Sequence, residues 1–232
     1  MMLFGRTTKI GDGGFTPSGS PVGYWSADTI TGLSDGDPVG TWPDQSGTGN
    51  NLTQGTAAQK PTFKVNILNN KPVVRFDGTS DNMSIPQLNG GVAADWTFHF
   101  VSANQGAGTY QFLVDSQFGR LIVAYAYNGK YKYYTSDGYV GNINAAAGNQ
   151  ILTFILDTAD NGMIYKNGVS IDGPLLCAAM AVGGATKLGS LYNPVQWFYA
   201  GDLGEIIFYT SALSAGDRGA NESGLNTKYS VY

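Results

Sequence analysis

Cysteine, histidine and glutamate are nearly missing from this chain, and each scarcity closes off a class of function. Among 232 residues there is one cysteine (Cys177), one histidine (His99) and only Glu205 and Glu222 as glutamates. A lone cysteine excludes an internal disulfide, and with a lone histidine it leaves the usual zinc clusters without ligands. Charged residues make up 13% of the chain, its net charge is −4, and no run of Lys or Arg occurs. The phosphate-neutralising footprint that nucleic acid requires is therefore missing. No stretch of about 20 apolar residues is present to span a membrane. The N-terminal MMLFGRTTKIGDGG also lacks an apolar run long enough for a secretory signal core. The expectation is a soluble protein made without Sec-type export.

What the chain has instead is Gly 33, Tyr 14 and Phe 11, a turn-rich and aromatic composition. Strand-like runs recur at Gly23–Ala27, Val73–Asp77, Met83–Pro86, Trp96–Ala103, Tyr110–Asp115, Leu121–Tyr127, Lys130–Thr135, Ile151–Asp157, Met163–Lys166, Gln196–Ala200 and Leu203–Thr210. Turn signals at Asn89-Gly90, Asn128-Gly129, Asn161-Gly162 and Asn167-Gly168 punctuate them. Short strands at this spacing indicate a sandwich or barrel, and single all-β domains of roughly 200–250 residues are common. Residues 1–21, rich in Gly, Ser, Thr and Pro, read as an extended N-terminal arm, and residues 22–232 as one domain. Only the C-terminus looks helical. Ser214 is placed to cap it, with Asp217 three residues on, and its glycines make the helix dependent on docking Leu225 and Tyr229.

Two aromatic patches stand out. If Asn128-Gly129 is a two-residue type I′ turn, Tyr127 faces Lys130 and Tyr125 faces Lys132. One face of that hairpin then carries Tyr125, Tyr127, Lys130, Lys132 and Tyr134, too rich in Lys and Tyr to be core. The segment SLYNPVQWFY, with Tyr192, Asn193 and Trp197, is the second patch. Exposed rings beside polar side chains suit a sugar, which has apolar C–H faces and hydroxyl edges. The same composition suits a protein interface, including a homo-oligomer. A third candidate is cationic. Asp77, Asp81 and Asn82 in FDGTSDN, and Asp35, Asp37 and Asp44 around WPDQSG, could supply oxygens to Ca²⁺ or simply make Asx turns.

The order of WPDQSG, NN, PTF, PVVRFDG, YKNG and AGDLGEIIFY, closed by a short helix ending in KY, resembles the concanavalin A-like lectin/glucanase superfamily, specifically its laminin-G-like domains. The resemblance covers about residues 22–232 and implies an all-β, two-sheet antiparallel jelly-roll sandwich with a short C-terminal helix. It implies glycan or protein binding with no obligatory cofactor, Ca²⁺ being an option in such loops. The polar arm and the missing export signal are similar to those of tailed-bacteriophage structural proteins. That likeness implies a non-enzymatic accessory virion protein, a capsid decoration, head-fibre or tail-associated module assembled in the host cytoplasm. Its partners would be capsid or tail proteins, held through the arm, with surface glycans as further ligands. A free carbohydrate-binding lectin is the first alternative and a polysaccharide hydrolase or lyase the second.

Catalysis has little to stand on in the sequence. The paired carboxylates of glucanases in this superfamily, an E-x-D-x-x-E strand, are missing. Retention needs two carboxyl groups about 5–5.5 Å apart, which alternate positions on one strand supply. Asp202 and Glu205 point oppositely, and Glu205 is expected to share a face with Leu203 and Ile207. His99, on the face of Thr97 and Val101, reads as a satisfied structural histidine, and Cys177 as a small core hydrophobe.

Overall fold

The computed structural model describes residues 15–86, 95–104, 110–118, 122–135, 138–157, 161–176, 183–192 and 195–232. Side chains at 117–118, 122–126, 133–135, 138–140, 176 and 183–185 are not part of that description. Asn89-Gly90 and Cys177 therefore lie outside the described residues.

Two eight-stranded antiparallel sheets form a sandwich. Sheet A contains β1 (Gly23–Ser26), β4 (Thr62–Leu68), β5 (Lys71–Asp77), β7 (Trp96–Asn104), β12 (Gly148–Asp157), β13 (Asn161–Lys166), β14 (Val169–Leu176) and β16 (Ala200–Tyr209). Its order is β14-β13-β12-β7-β16-β5-β4, with β1 also pairing β16. Sheet B contains β2 (Thr41–Trp42), β3 (Leu52–Thr53), β6 (Met83–Ile85), β8 (Tyr110–Phe118), β9 (Ile122–Tyr127), β10 (Lys130–Thr135), β11 (Gly138–Val140) and β15 (Gly183–Leu188). The order there is β11-β10-β9-β8-β15-β6-β3-β2. One helix, α1 (Ala215–Tyr229), follows β16.

Period-2 alternation builds the core between the sheets. On β7, Trp96, Phe98 and Phe100 point inward, where Phe98 stacks on Phe100 with centroids 5.4 Å apart. Trp25, Trp42, Val74, Phe76, Leu113, Val114, Phe154 and Phe208 join them. The opposite face of sheet A carries a second apolar layer, Val73, Val101, Ile151, Ile207 and Tyr209, which α1 covers with Leu225 and Tyr229. The helix starts where its cap requires. Ser214 Oγ accepts from the Asp217 amide at 3.1 Å, and Ser214 Oγ–H donates to Asp217 Oδ2 at 2.7 Å. Residues 15–21 run against this layer. Ser18 N–H donates to Asn221 Oδ1 at 2.6 Å, and Phe15 packs edge-on to Tyr24.

β16 changes partner along its length, pairing β5 from Ala200 to Leu203 and β1 from Glu205 to Phe208. A bulge falls between, at Gly204. It corrects one expectation from the sequence. Leu203 enters the inter-sheet core while Glu205, beyond the extra residue, faces α1 with Ile207 and Tyr209. An insertion of one residue exchanges the faces downstream of it. Strand boundaries also shift. Gln196–Tyr199 is loop and the strand begins at Ala200, while Asn161-Gly162 opens β13 rather than forming a turn.

Beneath α1 the only histidine is fully enclosed. Thr153 Oγ1–H donates to Glu222 Oε1 at 2.8 Å, so its lone pairs receive His99 Nδ1–H, also at 2.8 Å. Asn221 Nδ2 lies 3.4 Å from His99 Nε2, which is left as the acceptor. Burial, then the Arg218 charge, keeps the ring neutral by holding its pKa down to about 3. The residue is a satisfied structural histidine, as its face predicted.

Candidate functional site

Tyr127 and Trp197, one member of each aromatic patch of the sequence, meet in the structure. β8 and β9 place Tyr110 directly opposite Tyr127, with ring centroids 5.1 Å apart. The loop between β15 and β16 folds back over them, closed by Gly189 N–H to the Leu113 carbonyl and Tyr199 N–H to the Gly189 carbonyl, each at 2.8 Å. Phe112 N–H reaches the Trp197 carbonyl at 3.1 Å and fixes the indole above β8. Trp197 then stacks on Tyr110 at 4.9 Å and on Phe112 at 5.4 Å, and meets the edge of Tyr127 at 6.4 Å. Phe112 and Leu191 form the buried floor, whereas Tyr110, Tyr127 and Trp197 are only partly buried.

Trp197 adopts φ 55°, in the left-handed region. A bulky side chain held there costs about 1–3 kcal/mol, and such strain concentrates at binding and catalytic sites. The Asn128-Gly129 turn has φ 53° and 74°, the type I′ geometry expected of it. Asn128 adds a second role, because its Oδ1 accepts from Tyr110 Oη–H at 2.6 Å and orients that ring.

The hairpin register departs from the simple pairing. Tyr127 faces Lys130 as expected, but a one-residue bulge on β9 brings Ala124, not Tyr125, opposite Lys132. Tyr125 therefore does not share the expected cross-strand position with Lys132. Tyr131 points into the core, where its hydroxyl donates to Gln150 Oε1 at 2.6 Å, so Lys132 is turned away from it. Tyr134 lies in β10, and the side chains of Tyr125 and Tyr134 are outside those described. Tyr192 is half-buried, with its amide donating to Asp115 Oδ2 at 2.7 Å. Asn193 lies outside the described residues.

Further along the same face of sheet B runs a row of polar side chains that nothing in the sequence marked. Asp115 on β8 pairs with Lys187 on β15, Lys187 with Ser84 on β6, Ser84 with Thr53 on β3, and Thr53 with Thr41 on β2. Their neighbours Val114, Leu188, Met83, Leu52 and Trp42 all face the core, so the row faces outward. Lys187 Nζ donates to Asn82 Oδ1 at 3.0 Å and Ser84 Oγ at 3.2 Å, and burial lowers its pKa.

The cation loops do not fit Ca²⁺, which takes 6–8 oxygens turned toward it. Asp77 Oδ1 instead accepts from the amides of Thr79, Ser80 and Asp81, and Oδ2 from the hydroxyls of Thr79 and Ser80. Asp81 Oδ2 accepts from the Asp77 amide at 3.0 Å. Asn82 Oδ1 is taken by Gln54 Nε2 at 3.0 Å and by the Lys187 ammonium, a charge that repels a cation. Asp44 is likewise turned onto Tyr24, Ser46, Gly49 and Asn50 amides, while Asp35 pairs with Lys64 at 2.6 Å. Asp37 Oδ2 caps the Ser34 amide. Asp77 and Asp44 make Asx turns to the Thr79 and Ser46 amides, and among the described residues no group of three or more His, Cys, Asp or Glu gathers to hold a metal.

The Asp77–Asp81 pair has a pH signature. Although burial alone would raise it, the hydrogen bonds from Thr79, Ser80 and Asp81 hold Asp77 well below the usual carboxylate range. Burial, then the Asp77 charge, pushes Asp81 up to about 6. A carboxyl whose folded pKa is raised contributes stability below its unfolded value of about 4 and loses it as pH rises through the folded value. Asp81→Asn keeps an oxygen for the Asp77 amide and removes that penalty. Melting temperatures should therefore favour the variant above pH of about 7 more than at pH of about 4. A pH-independent difference would contradict the pairing.

Glu205, the carboxylate nearest to a catalytic candidate in the sequence, is fully buried on the helix-covered face of sheet A. Its Oε2 accepts from Lys228 Nζ and from Tyr229 Oη–H, both at 2.8 Å. It stabilises the α1 contact and does not reach the aromatic site on sheet B.

No protein-family model and no curated protein sequence matches the chain. Solved structures do match in fold. The botulinum neurotoxin serotype D binding domain is 11% identical with a TM-score of 0.62, over 89% of this chain and 51% of that one. The binding domain of Paraclostridial Mosquitocidal Protein 1 is 13% identical with a TM-score of 0.59, over 83% and 51%. Trypanosoma rangeli sialidase in complex with the inhibitor DANA is 11% identical with a TM-score of 0.62, over 89% and 33%. This chain thus spans about half the length of the two toxin binding domains and a third of the sialidase. These likenesses show the fold, a β-sandwich.

Proposed function

We propose that the chain is a non-enzymatic carbohydrate-binding sandwich whose sugar contact is the tier formed by Tyr110, Tyr127 and Trp197. The observation that carries this reading is Trp197, a partly buried indole fixed on a loop at φ 55° and stacked on two rings. Fixed aromatic faces beside hydroxyl and amide groups match the amphipathic surface of a pyranose. A structural neighbour supports the same class, namely the botulinum neurotoxin serotype D ligand binding domain in complex with N-acetylneuraminic acid, at 11% identity. Laminin-G kinship and a role as an accessory virion protein rest on the sequence resemblance alone. The described part of the N-terminal arm, residues 15–21, is used within the fold.

A glycan array tests the reading. Saturable binding to at least one glycan, reduced when Trp197 is replaced, is the expected result. Binding to no glycan at all would overturn it.

A further inference from the structure

Lys187 has an ammonium with three donors, two of them used by the neutral oxygens of Asn82 and Ser84. Among the described residues it belongs to no ion pair, unlike Lys64, Lys71 and Lys228. Asp115, its cross-strand neighbour, is buried against the 189–199 loop with Oδ2 on the Tyr192 amide. Among the described residues no carboxylate thus lies within ion-pair distance of the ammonium, and a half-buried cation gains more from a counter-charge than an exposed cation does.

We propose that this face of sheet B binds a carboxylate-bearing oligosaccharide, with Lys187 holding the acid group and the Trp197 tier holding a ring further along β8. The inference deepens the glycan-binding reading and rests on it. Lys187 sits beside Asp115, and the tier begins at Phe112, three residues away on β8. A bulge between Phe112 and Val114 keeps Phe112 and Asp115 on one face and shortens their separation to about two strand steps, about 7 Å, with Lys187 one strand spacing of about 4.8 Å to the side, so an extended chain reaches both. Ser84, Thr53 and Thr41 continue the row with hydroxyls toward the β2 edge. The overall charge of −4 does not attract an anion, so affinity has to come from contact at Lys187 itself.

The test is calorimetric titration of the full chain with oligogalacturonate, oligoguluronate, hyaluronan fragments and sialyl-lactose, each beside its methyl ester. The wild type should bind at least one acid about tenfold or more tighter than its ester, the worth of one charge-assisted hydrogen bond. Lys187→Met should bind acid and ester alike while melting near the wild type. Lys187→Arg should keep the preference for the acid, and Trp197→Ala should weaken both forms by the same factor. Equal wild-type affinity for acid and ester, or a preference that survives Lys187→Met, overturns the assignment and leaves glycan binding standing. Binding of neither form, with no neutral glycan bound either, overturns both.

Discussion

Lys228→Met should lower the stability of the sandwich by about 3–5 kcal/mol, the usual penalty for removing one partner of a buried charge cluster. Lys228 Nζ lies 2.8 Å from Glu205 Oε2, 2.9 Å from Asp28 Oδ2 and 3.0 Å from Ser26 Oγ. Burial alone would lower the lysine pKa, but Glu205 and Asp28 together raise it. With the ammonium gone, the buried Glu205 loses its cation and Asp28 keeps only Lys71, 4.0 Å from its Oδ2. For a domain of this size the loss corresponds to a melting temperature lower by about 6–20 °C. Adding Glu205→Gln should recover part of the deficit. Thermal unfolding of the three proteins decides the point. A Lys228→Met protein as stable as the wild type would mean that the cluster does not hold the helix.

Trp197→Ala should reduce affinity for whichever glycan the wild type binds by about 30-fold or more, as for a central aromatic anchor. The cost in stability should be only about 1–2 kcal/mol, because Trp197 belongs to a small satellite cluster and not to the inter-sheet core. Glycine separates the two effects. Trp197→Gly loses the same rings but relieves the strain of φ 55°, so it should melt above Trp197→Ala while binding no better. Equal binding by the wild type and both variants would remove the tier from the ligand site.

Much of the architecture is legible in the sequence because it follows period-2 burial. The alternation of Trp96, Phe98 and Phe100 against Thr97, His99 and Val101 predicts both faces of β7. Ser214 likewise marks the start of α1. What is not legible breaks that period. Asn66 at φ 57° interrupts β4, and a Gly173-Pro174 step interrupts the pattern of β14. Gly183–Leu188 is too poor in large side chains to look like a strand, although β15 lies between β8 and β6. The bulge on β9 exchanges faces without any local signal, and the one on β16 is marked only by the lone Gly204 inside the strand. The site suffers most from this. Tyr127 and Trp197 are far apart in the chain and meet only because the 189–199 loop returns over β8. Lys187, in a run of small residues, gains meaning only from its cross-strand neighbours.

Only one of the four tryptophans is placed to report on a ligand at the surface. Trp25, Trp42 and Trp96 are 0%, 0% and 2% exposed, whereas Trp197 is only partly buried. The most direct measurement is the indole N–H region of a ¹H–¹⁵N spectrum during titration with a glycan the protein binds. The Trp197 signal is assigned by its loss in Trp197→Ala. The expected result is a saturable shift of that signal while the three buried indoles stay in place. Saturable glycan binding with the Trp197 signal unmoved would contradict the proposed site.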